Sequence, residues 1–287
     1  MDERTALGLL ARRLPTAGDD AAVVDGHVLT TDMLHETTDF PDATTRYTAG
    51  WRSVGASLSD VAAMGADAVA AVAVYGAPTF EESELVSFVD GARDVCDRVD
   101  GEYVGGDLDS HAEFTVATTA MGRTDAPVLR SGASPGEHVY VTGTLGRSAA
   151  AIRLFDRGDH DLANELFRFE PRVAAGSRLA TVATAMMDSS DGLARSLHQL
   201  AEASDCGFAI DGPLPVDERL RAVVDEDATE VATFFGEDFE LVFTASESDV
   251  EAVRDDLAVD VTRLGTVTED GVTLDGAPLR DRGYTHG

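Results

Sequence analysis

No lysine occurs in this chain of 287 residues, and all 22 of its basic side chains are arginine. A P-loop NTPase places a lysine on its phosphates, a protein kinase uses a strand lysine, and a Schiff-base enzyme needs a lysine amine. The absence of lysine therefore excludes these three classes.

Basic charge and cysteine are also scarce. The 22 arginines stand against 53 acidic residues, for a net charge of -31, and no basic stripe is present, so a nucleic-acid groove is not expected. Cys96 and Cys206 are too few and too isolated for a disulfide framework or a zinc site, which favours a reducing cytoplasm. Without a membrane-length apolar run or a targeting signal at the first residues, we expect a cytoplasmic protein that binds no membrane.

Such acidity without lysine is typical of halophilic proteins, in which concentrated salt screens the repulsion between surface carboxylates. Most acidic residues then serve solvation. A functional role for any of them has to be argued from its position.

One aspartate stands inside an otherwise packed helix. Residues 47–65 repeat apolar residues at helical spacing, and a second stripe of Ser53, Ala56, Ser57 and Asp60 is small enough for another element to approach closely. Asp60 is the only charge on that stripe. Because a buried carboxylate is costly unless a cation meets it, either this face is exposed to solvent or Asp60 binds a cation.

Five more aspartates adjoin apolar runs that the pattern predicts to be strands. Strands are predicted over 21–24 and 27–32, over 103–104, and over 181–187 before a helix from 193, each next to a glycine- or hydroxyl-rich turn. The six candidates are Asp20, Asp32, Asp60, Asp107, Asp188 and Asp191. Oxygen ligands without histidine or cysteine suit several magnesium ions, and the turn before residue 193 suits a phosphate. Since like charges about 4 Å apart repel by about 4 kcal/mol at an effective dielectric of about 20, phosphates can enter only behind metal ions or arginine.

Strands and helices alternate irregularly, which indicates an α+β fold of two domains and not a doubly wound sheet. Charge and proline interrupt the pattern near residues 123–127. The predicted domains are residues 1–125 and 126–287.

Eight segments in order resemble the thiamine-monophosphate kinase family of the aminoimidazole ribonucleotide synthetase-like superfamily. They are Gly18-Asp19-Asp20-Ala21-Ala22, Thr30-Thr31-Asp32, Leu58-Ser59-Asp60-Val61-Ala62-Ala63-Met64-Gly65, Gly105-Gly106-Asp107, Arg130-Ser131-Gly132-Ala133, Val141-Thr142-Gly143, Asp188-Ser189-Ser190-Asp191-Gly192-Leu193 and Gly236-Glu237-Asp238-Phe239-Glu240-Leu241. Each segment is a weak signal alone, and their shared order is a strong one.

The resemblance implies two α+β domains, an N-terminal sheet that forms a homodimer, and roles for individual residues. A magnesium cluster would be held by Asp20, Thr30, Thr31, Asp32, Asp60, Asp107, Asp188 and Asp191. Asp60 and Asp191 would act in catalysis, and ATP would meet Gly106, Asp107, Arg130 and Ser190. Glu237 would lie near the thiamine moiety.

Three positions depart from the family pattern. Asp39 stands where the family usually has a substrate-side histidine, Asp281 where it has a substrate-stacking tryptophan, and Asp90 near its ATP-side tyrosine. Asp39, Glu237 and Asp281 are therefore the candidate substrate residues.

The resemblance implies in-line transfer of a phosphoryl group from ATP to thiamine monophosphate. The acceptor is a phosphate whose second pKa is about 6, so no general base is needed. Two alternatives stay open at this point: another ATP-using member such as aminoimidazole ribonucleotide synthetase, and a non-enzymatic nucleotide- or divalent-cation-binding protein.

Overall fold

The computed structural model describes residues 9–10, 13–14 and 16–283 of the chain. Its strands form two separate sheets, one built from residues 22–123 and one from residues 138–278. The α+β prediction is confirmed, whereas the domain boundary at 125/126 stays a prediction.

The first sheet has five strands in the order β1-β2-β5-β3-β4. They are β1 (Ala22–Val24), β2 (His27–His35), β3 (Asp67–Ala77), β4 (Glu102–Ser110) and β5 (Thr115–Arg123). Neighbouring strands are antiparallel except β3 and β4, which are parallel. Strand β4 lies at one edge of the sheet. The β1–β2 turn at Asp25–Gly26 was predicted and is confirmed by the positive φ of both residues.

Two strand ends were predicted wrongly. Strand β2 runs on to His35, so Asp32 lies within the strand and not at its end. Residues 105–107 were predicted as a turn, but they lie within β4, where a bulge after Tyr103 shifts the pairing with β3. Glycine in an edge strand often marks such a bulge.

Three helices belong to this part of the chain: α1 (Glu36–Asp39), α2 (Arg46–Ala63) and α3 (Glu82–Asp97). Helix α2 was predicted over the same stretch, and the structure buries every residue from Thr48 to Ala63 except Asp60. Helix α3 can cross it closely because a Cβ at Gly50 would lie 2.1 Å from the Phe88 carbonyl oxygen and one at Gly91 would lie 2.0 Å from that of Tyr47.

The small-residue stripe of α2 meets the sheet, as predicted. The Ser57 hydroxyl donates to Asp32 Oδ2 at 2.8 Å and lies 2.7 Å from the Thr118 hydroxyl, which donates to the Ser53 carbonyl at 3.1 Å. Strands β2 and β5 thus lie directly against this face of α2.

The second sheet has seven strands in the order β12-β11-β8-β10-β6-β9-β7. They are β6 (His138–Thr142), β7 (Ala185–Asp188), β8 (Gly207–Ile210), β9 (Leu241–Ala245), β10 (Val261–Thr268), β11 (Val272–Leu274) and β12 (Ala277–Pro278). Its helices are α4 (Arg147–Arg157), α5 (His160–Phe167), α6 (Val173–Leu179), α7 (Leu193–Ser204), α8 (Glu218–Val223), α9 (Ala228–Phe234) and α10 (Glu247–Val253), followed by a 3-10 turn at Arg254–Asp256. Strand β7 is shorter than the predicted 181–187.

Helix α2 lies between the two sheets and contacts both halves of the chain. The Trp51 indole N–H donates to the Phe169 carbonyl oxygen, and a Cβ at Gly176 of α6 would lie 2.1 Å from the Ala62 carbonyl oxygen. The side chains of α2 therefore lie where the two halves of the chain meet. No helix in the described part of the chain combines the length and apolar character needed to cross a membrane.

The other face of the first sheet, which we call the outer face, carries apolar side chains that no element of the described residues covers. Side chains alternate across a strand, so the neighbours of inward residues point away from α2. On this face the exposed fractions are 48% for Leu29, 53% for Met33, 38% for Val69, 36% for Val72 and 43% for Val74.

Candidate active site

Three of the predicted metal-binding aspartates meet at one point. Asp20, Asp60 and Asp188 each place a carboxylate oxygen within 4.8 Å of the others. Asp20 precedes β1, Asp60 lies in the last turn of α2, and Asp188 is the last residue of β7. This carboxylate cluster is thus assembled from both halves of the chain, and its role in metal binding stays a prediction.

Hydroxyl groups hold these carboxylates in place. Thr30 Oγ1 donates to Asp60 Oδ2 at 2.5 Å, and Ser59 Oγ donates to Asp188 Oδ2 at 2.6 Å. The Ser57 bond to Asp32 does the same for the carboxylate that flanks the cluster. No role was predicted from the sequence for Ser57 or Ser59, although the small-residue stripe was an available signal for Ser57.

The cluster concentrates negative charge where little water reaches it. Burial raises the pKa of Asp60 well above its ordinary value, and Asp32, Asp188 and Asp20 raise it further by repulsion. Burial and then Asp20 raise the pKa of Asp188 to about 7, partly offset by the Ser59 hydrogen bond and by Arg130. A divalent cation at this point would relieve the repulsion.

Arg130 is the cation that the structure places at the cluster. Its guanidinium grips Asp20 with two hydrogen bonds, Nη2 to Oδ1 at 2.9 Å and Nε to Oδ2 at 3.1 Å, and its backbone N–H donates to Asp19 Oδ1. The predicted ATP contact of Arg130 stays a prediction, since in the described state the side chain neutralises Asp20.

Thr31 and Asp107 lie on the outer face, away from Asp60. Thr31 is exposed and its hydroxyl donates to the Thr118 carbonyl at 2.7 Å. Asp107 pairs with Val74, whose exposed side chain marks the same face, and accepts the Leu108 N–H at 2.9 Å. Within one chain, the structure therefore divides the predicted metal set between two faces, with Thr30 and Asp32 on the side of α2.

The turn at 188–192 joins a strand to a helix, as predicted. Strand β7 ends at Asp188, whose Oδ1 accepts the Ser190 N–H at 3.3 Å, and α7 begins at Leu193. Asp191 is half-buried in this turn. The Glu237 N–H donates to the Ser190 carbonyl at 2.6 Å, so the segment 236–240 lies against the same turn.

Of the three candidate substrate residues, two flank that turn. Glu237 does so directly, and Asp281 Oδ1 lies 3.0 Å from Nε of Arg195 in the first turn of α7. Asp39 ends helix α1, after β2, where its Oδ2 accepts the His35 N–H at 2.7 Å.

Two cavities of about 600 Å³ each adjoin these elements. The first lies between α9 and the segment 282–283, and its lining includes Glu226, Glu230, Phe234, Phe235 and Arg282. The second lies between α3 and β4, and its lining includes Tyr75, Phe88, Tyr103, Gly106 and Asp107. The lining of the first includes Phe235 and Arg282, which lie within two residues of Glu237 and Asp281 in the sequence, and the lining of the second includes two of the predicted ATP contacts.

Comparison with known proteins gives matches along nearly the whole chain. Residues 18–124 match the family model "AIR synthase related protein, N-terminal domain", and residues 134–275 match "AIR synthase related protein, C-terminal domain". The chain is 63% identical over 289 residues to a thiamine-monophosphate kinase of Halobacterium salinarum, with both chains fully covered. It is 40% identical to that of Methanospirillum hungatei, covering 100% of this chain and 99% of the relative.

Among solved structures, one described as "AaThiL complexed with AMPPCP and TMP" superposes with a TM-score of 0.92 at 28% identity. The match covers 100% of this chain and 97% of that one. The predicted two-domain fold, as found in AIR synthase related proteins, is thereby confirmed.

Proposed function

The chain belongs to the thiamine-monophosphate kinase family, and from that premise we propose how its own residues perform the family's reaction. The activity is the ATP-dependent phosphorylation of thiamine monophosphate, which gives thiamine diphosphate and ADP. Full-length identity of 63% to a thiamine-monophosphate kinase favours this activity over an aminoimidazole ribonucleotide synthetase or a non-enzymatic binding protein.

Magnesium would be held by Asp20, Asp60 and Asp188, with Asp32 beside them. The donor set fits, because it contains only oxygen and its crowded charges raise the pKa of the Asp60 carboxyl. When bound, magnesium supplies neutralisation of the phosphate charge. We propose more than one ion, since the triphosphate of ATP and the phosphate of the acceptor, both negatively charged, have to be brought together.

The remaining work falls to positioning by the protein. The acceptor phosphate is already ionised near neutral pH, so the site needs no base to activate it. Arg130 would move from Asp20 to an ATP phosphate, and Ser190 and Asp191, before the N-terminus of α7, would align the reacting groups. Asp60 would hold the metal through which the donor and acceptor share one site.

The cavity between α3 and β4 is our candidate for the nucleotide base. Its aromatic lining from Tyr75, Phe88 and Tyr103 suits a flat ring, and Gly106 and Asp107 border it. Asp90, which stands near the position of the family's ATP-side tyrosine, is exposed on α3. In this chain, Tyr103 would supply the aromatic contact instead.

The cavity beside α9 is our candidate for the thiamine end of the acceptor. Thiamine carries a permanent positive charge on its thiazolium ring, and Glu226 and Glu230 bring carboxylates to a lining that also holds Phe234 and Phe235. Glu237 and Asp281 are close in sequence to Phe235 and Arg282 of this lining and would reach its border. Asp39, which follows the C-terminal end of β2, would approach the acceptor from a different side.

A homodimer formed through the outer face would explain why Thr31 and Asp107, two predicted metal ligands, lie away from Asp60 within one chain. An apolar face of this extent favours a partner, and a second copy offers the same face about a two-fold axis. Thr31 and Asp107 would then lie at the interface between copies, in sites that the two chains share. A cytoplasmic location and adaptation to high salt are also proposed, supported by the net charge of -31 and the absence of lysine.

The carboxylate cluster is the single observation that carries this mechanism. Wild-type protein incubated with magnesium, ATP and thiamine monophosphate should yield thiamine diphosphate and ADP in equal amounts. Asp60→Asn should lower turnover by about 10³-fold or more, because losing a metal ligand removes several kcal/mol of charge stabilisation. The matched control, Asp97→Asn, changes an exposed aspartate of α3 and should leave turnover within about twofold of wild type.

A folded Asp60→Asn protein with normal turnover would remove Asp60 from the mechanism. Wild-type protein that binds ATP without forming thiamine diphosphate would favour the non-enzymatic alternative. Product formed only from an aminoimidazole precursor would favour the other enzyme.

A further inference from the structure

Arg52 is a buried cation on the same helix as Asp60, and the mechanism above does not use it. It is 1% exposed and lies eight residues before Asp60, roughly 12 Å along α2. A buried arginine needs hydrogen-bond acceptors for its N–H groups, so the acceptors of Arg52 identify the segments that it holds in place.

Every hydrogen-bond partner of Arg52 among the described residues belongs to the second half of the chain. Nη1 donates to the Phe167 carbonyl at 2.8 Å and to Ser148 Oγ at 3.4 Å. Nη2 donates to the carboxylate of Glu237 at 2.5 Å and to its carbonyl at 3.3 Å. The guanidinium carbon also lies 3.6 Å from the centre of the Phe167 ring.

The segment that Arg52 grips, residues 236–240, has an unfavourable backbone. Glu237 and Phe239 have φ values of 64° and 55°, in the left-handed region that costs a non-glycine residue of order 1 kcal/mol or more. Such a conformation persists only where several contacts impose it.

Contacts of three residues, Asp238, Phe239 and Glu240, also hold this segment. Asp238 accepts the N–H groups of Gly146 at 2.5 Å and Ser148 at 3.0 Å. Glu240 pairs with both Nε and Nη2 of Arg172, at 2.8 and 2.6 Å. The ring of Phe239 stacks on that of Phe169 with centroids 4.1 Å apart. All of these contacts are internal to the second half. Among the side-chain hydrogen bonds and ion pairs that 236–240 makes with described residues, those of Arg52 alone reach α2.

We propose that Arg52 is a positioning residue that fixes segment 236–240, and with it the thiamine end of the acceptor, relative to Asp60. Because the Glu237 N–H also donates to the Ser190 carbonyl, the contacts between Arg52 and Glu237 also position the turn at 188–192. This inference rests on the proposed function, in which Glu237 borders the acceptor cavity and the nucleotide lies elsewhere. Losing the contacts of Arg52 should therefore raise KM for thiamine monophosphate and leave KM for ATP nearly unchanged.

The test is Arg52→Lys, which keeps one positive charge but loses the planar fork that serves Phe167 and Glu237 together. We expect KM for thiamine monophosphate to rise about tenfold or more, with KM for ATP within about twofold and the magnesium-induced rise in Tm unchanged. The matched control is Arg168→Lys, since Arg168 also bridges the halves, 5.1 Å from the ring centre of Tyr47, but does not touch segment 236–240. The control should leave both KM values unchanged.

Ser148→Ala provides a milder second variant should the first not fold. It removes only the hydroxyl that donates to the Glu237 carbonyl at 2.5 Å and receives Arg52, and we expect the same selective rise of about threefold. Unchanged KM for thiamine monophosphate in either folded variant would overturn the inference, as would parallel losses for both substrates together with a lowered Tm. Wild-type protein that forms no thiamine diphosphate would instead refute the proposed function.

Discussion

Replacing Asp188 by asparagine should stabilise the metal-free protein at pH 8 and abolish its response to magnesium. The carboxylate is 1% exposed and shares a small volume with Asp20 and Asp60. Asparagine has nearly the same shape, and its side-chain oxygen can still accept from Ser59. The substitution therefore removes a charge while preserving most of the packing.

The magnitude follows from the pKa of Asp188, which burial and Asp20 raise from 3.8 to about 7. Three units correspond to about 4 kcal/mol. The folded state holds the Asp188 proton more tightly than the unfolded state does. Protonated Asp188 therefore contributes this free energy to stability below about pH 4, and the contribution is lost as pH rises through about 7. The Asp188→Asn variant also loses the attraction between the Asp188 carboxylate and Arg130. We therefore expect it to regain about half of the lost stability, which makes it roughly 2 kcal/mol more stable than wild type at pH 8.

Thermal unfolding in EDTA at fixed salt tests this expectation. A gain of roughly 2 kcal/mol corresponds to a rise of about 4–8 °C in Tm at pH 8, with little difference below about pH 4. Magnesium at about 100 times its dissociation constant should add about 2.7 kcal/mol to the wild type and nothing to the variant. An Asp188→Asn protein that is less stable than wild type at pH 8 in EDTA, or that still gains stability from magnesium, would refute the reasoning.

Three further outcomes are expected. Thr30→Val should lower magnesium affinity and turnover about tenfold by removing the bond to Asp60, whereas Thr181→Val, which removes an exposed hydroxyl bonded to the Arg178 carbonyl, should leave magnesium affinity unchanged in calorimetry. Val74→Asp should convert a dimer to monomers in light scattering, whereas Val86→Asp, on an exposed side of α3, should not; a monomeric wild type would contradict the dimer. Phe234→Ala should raise KM for thiamine monophosphate several-fold and leave KM for ATP unchanged, and equal KM values for variant and wild type would exclude its cavity as the acceptor site.

The sequence predicted elements where side-chain periodicity was strong. Helix α2 was predicted from the recurrence of apolar residues, and its small face was expected to meet another element, which Ser57 and Thr118 confirm. The end of β2 was missed because Thr30, Thr31 and Asp32 are polar and were interpreted as a strand end. Thr30 and Asp32 point inward and are polar because their side chains bond to residues of α2. This is a tertiary contact, which strand propensity does not predict.

The division of the predicted metal residues could have been derived from a correct strand. Had β2 been extended to His35, alternation would have placed Thr30 and Asp32 on one face and Thr31 on the other. The meeting of Asp20 with Asp188 could not have been derived in this way, because it depends on how the two halves of the chain pack. Arg52 was missed because nothing in its local sequence distinguishes a buried clamp from a surface arginine.

The burial of α2 on all sides has a consequence for ion choice. A helix enclosed from Thr48 to Ala63 cannot shift without disturbing both halves of the molecule, so the carboxylate of Asp60 has little freedom to retreat. Calcium prefers oxygen ligands at about 2.3–2.6 Å and magnesium at about 2.0–2.1 Å. In the proposed magnesium site, an enclosed scaffold of this kind would favour the smaller ion, so we expect calcium to support less turnover than magnesium.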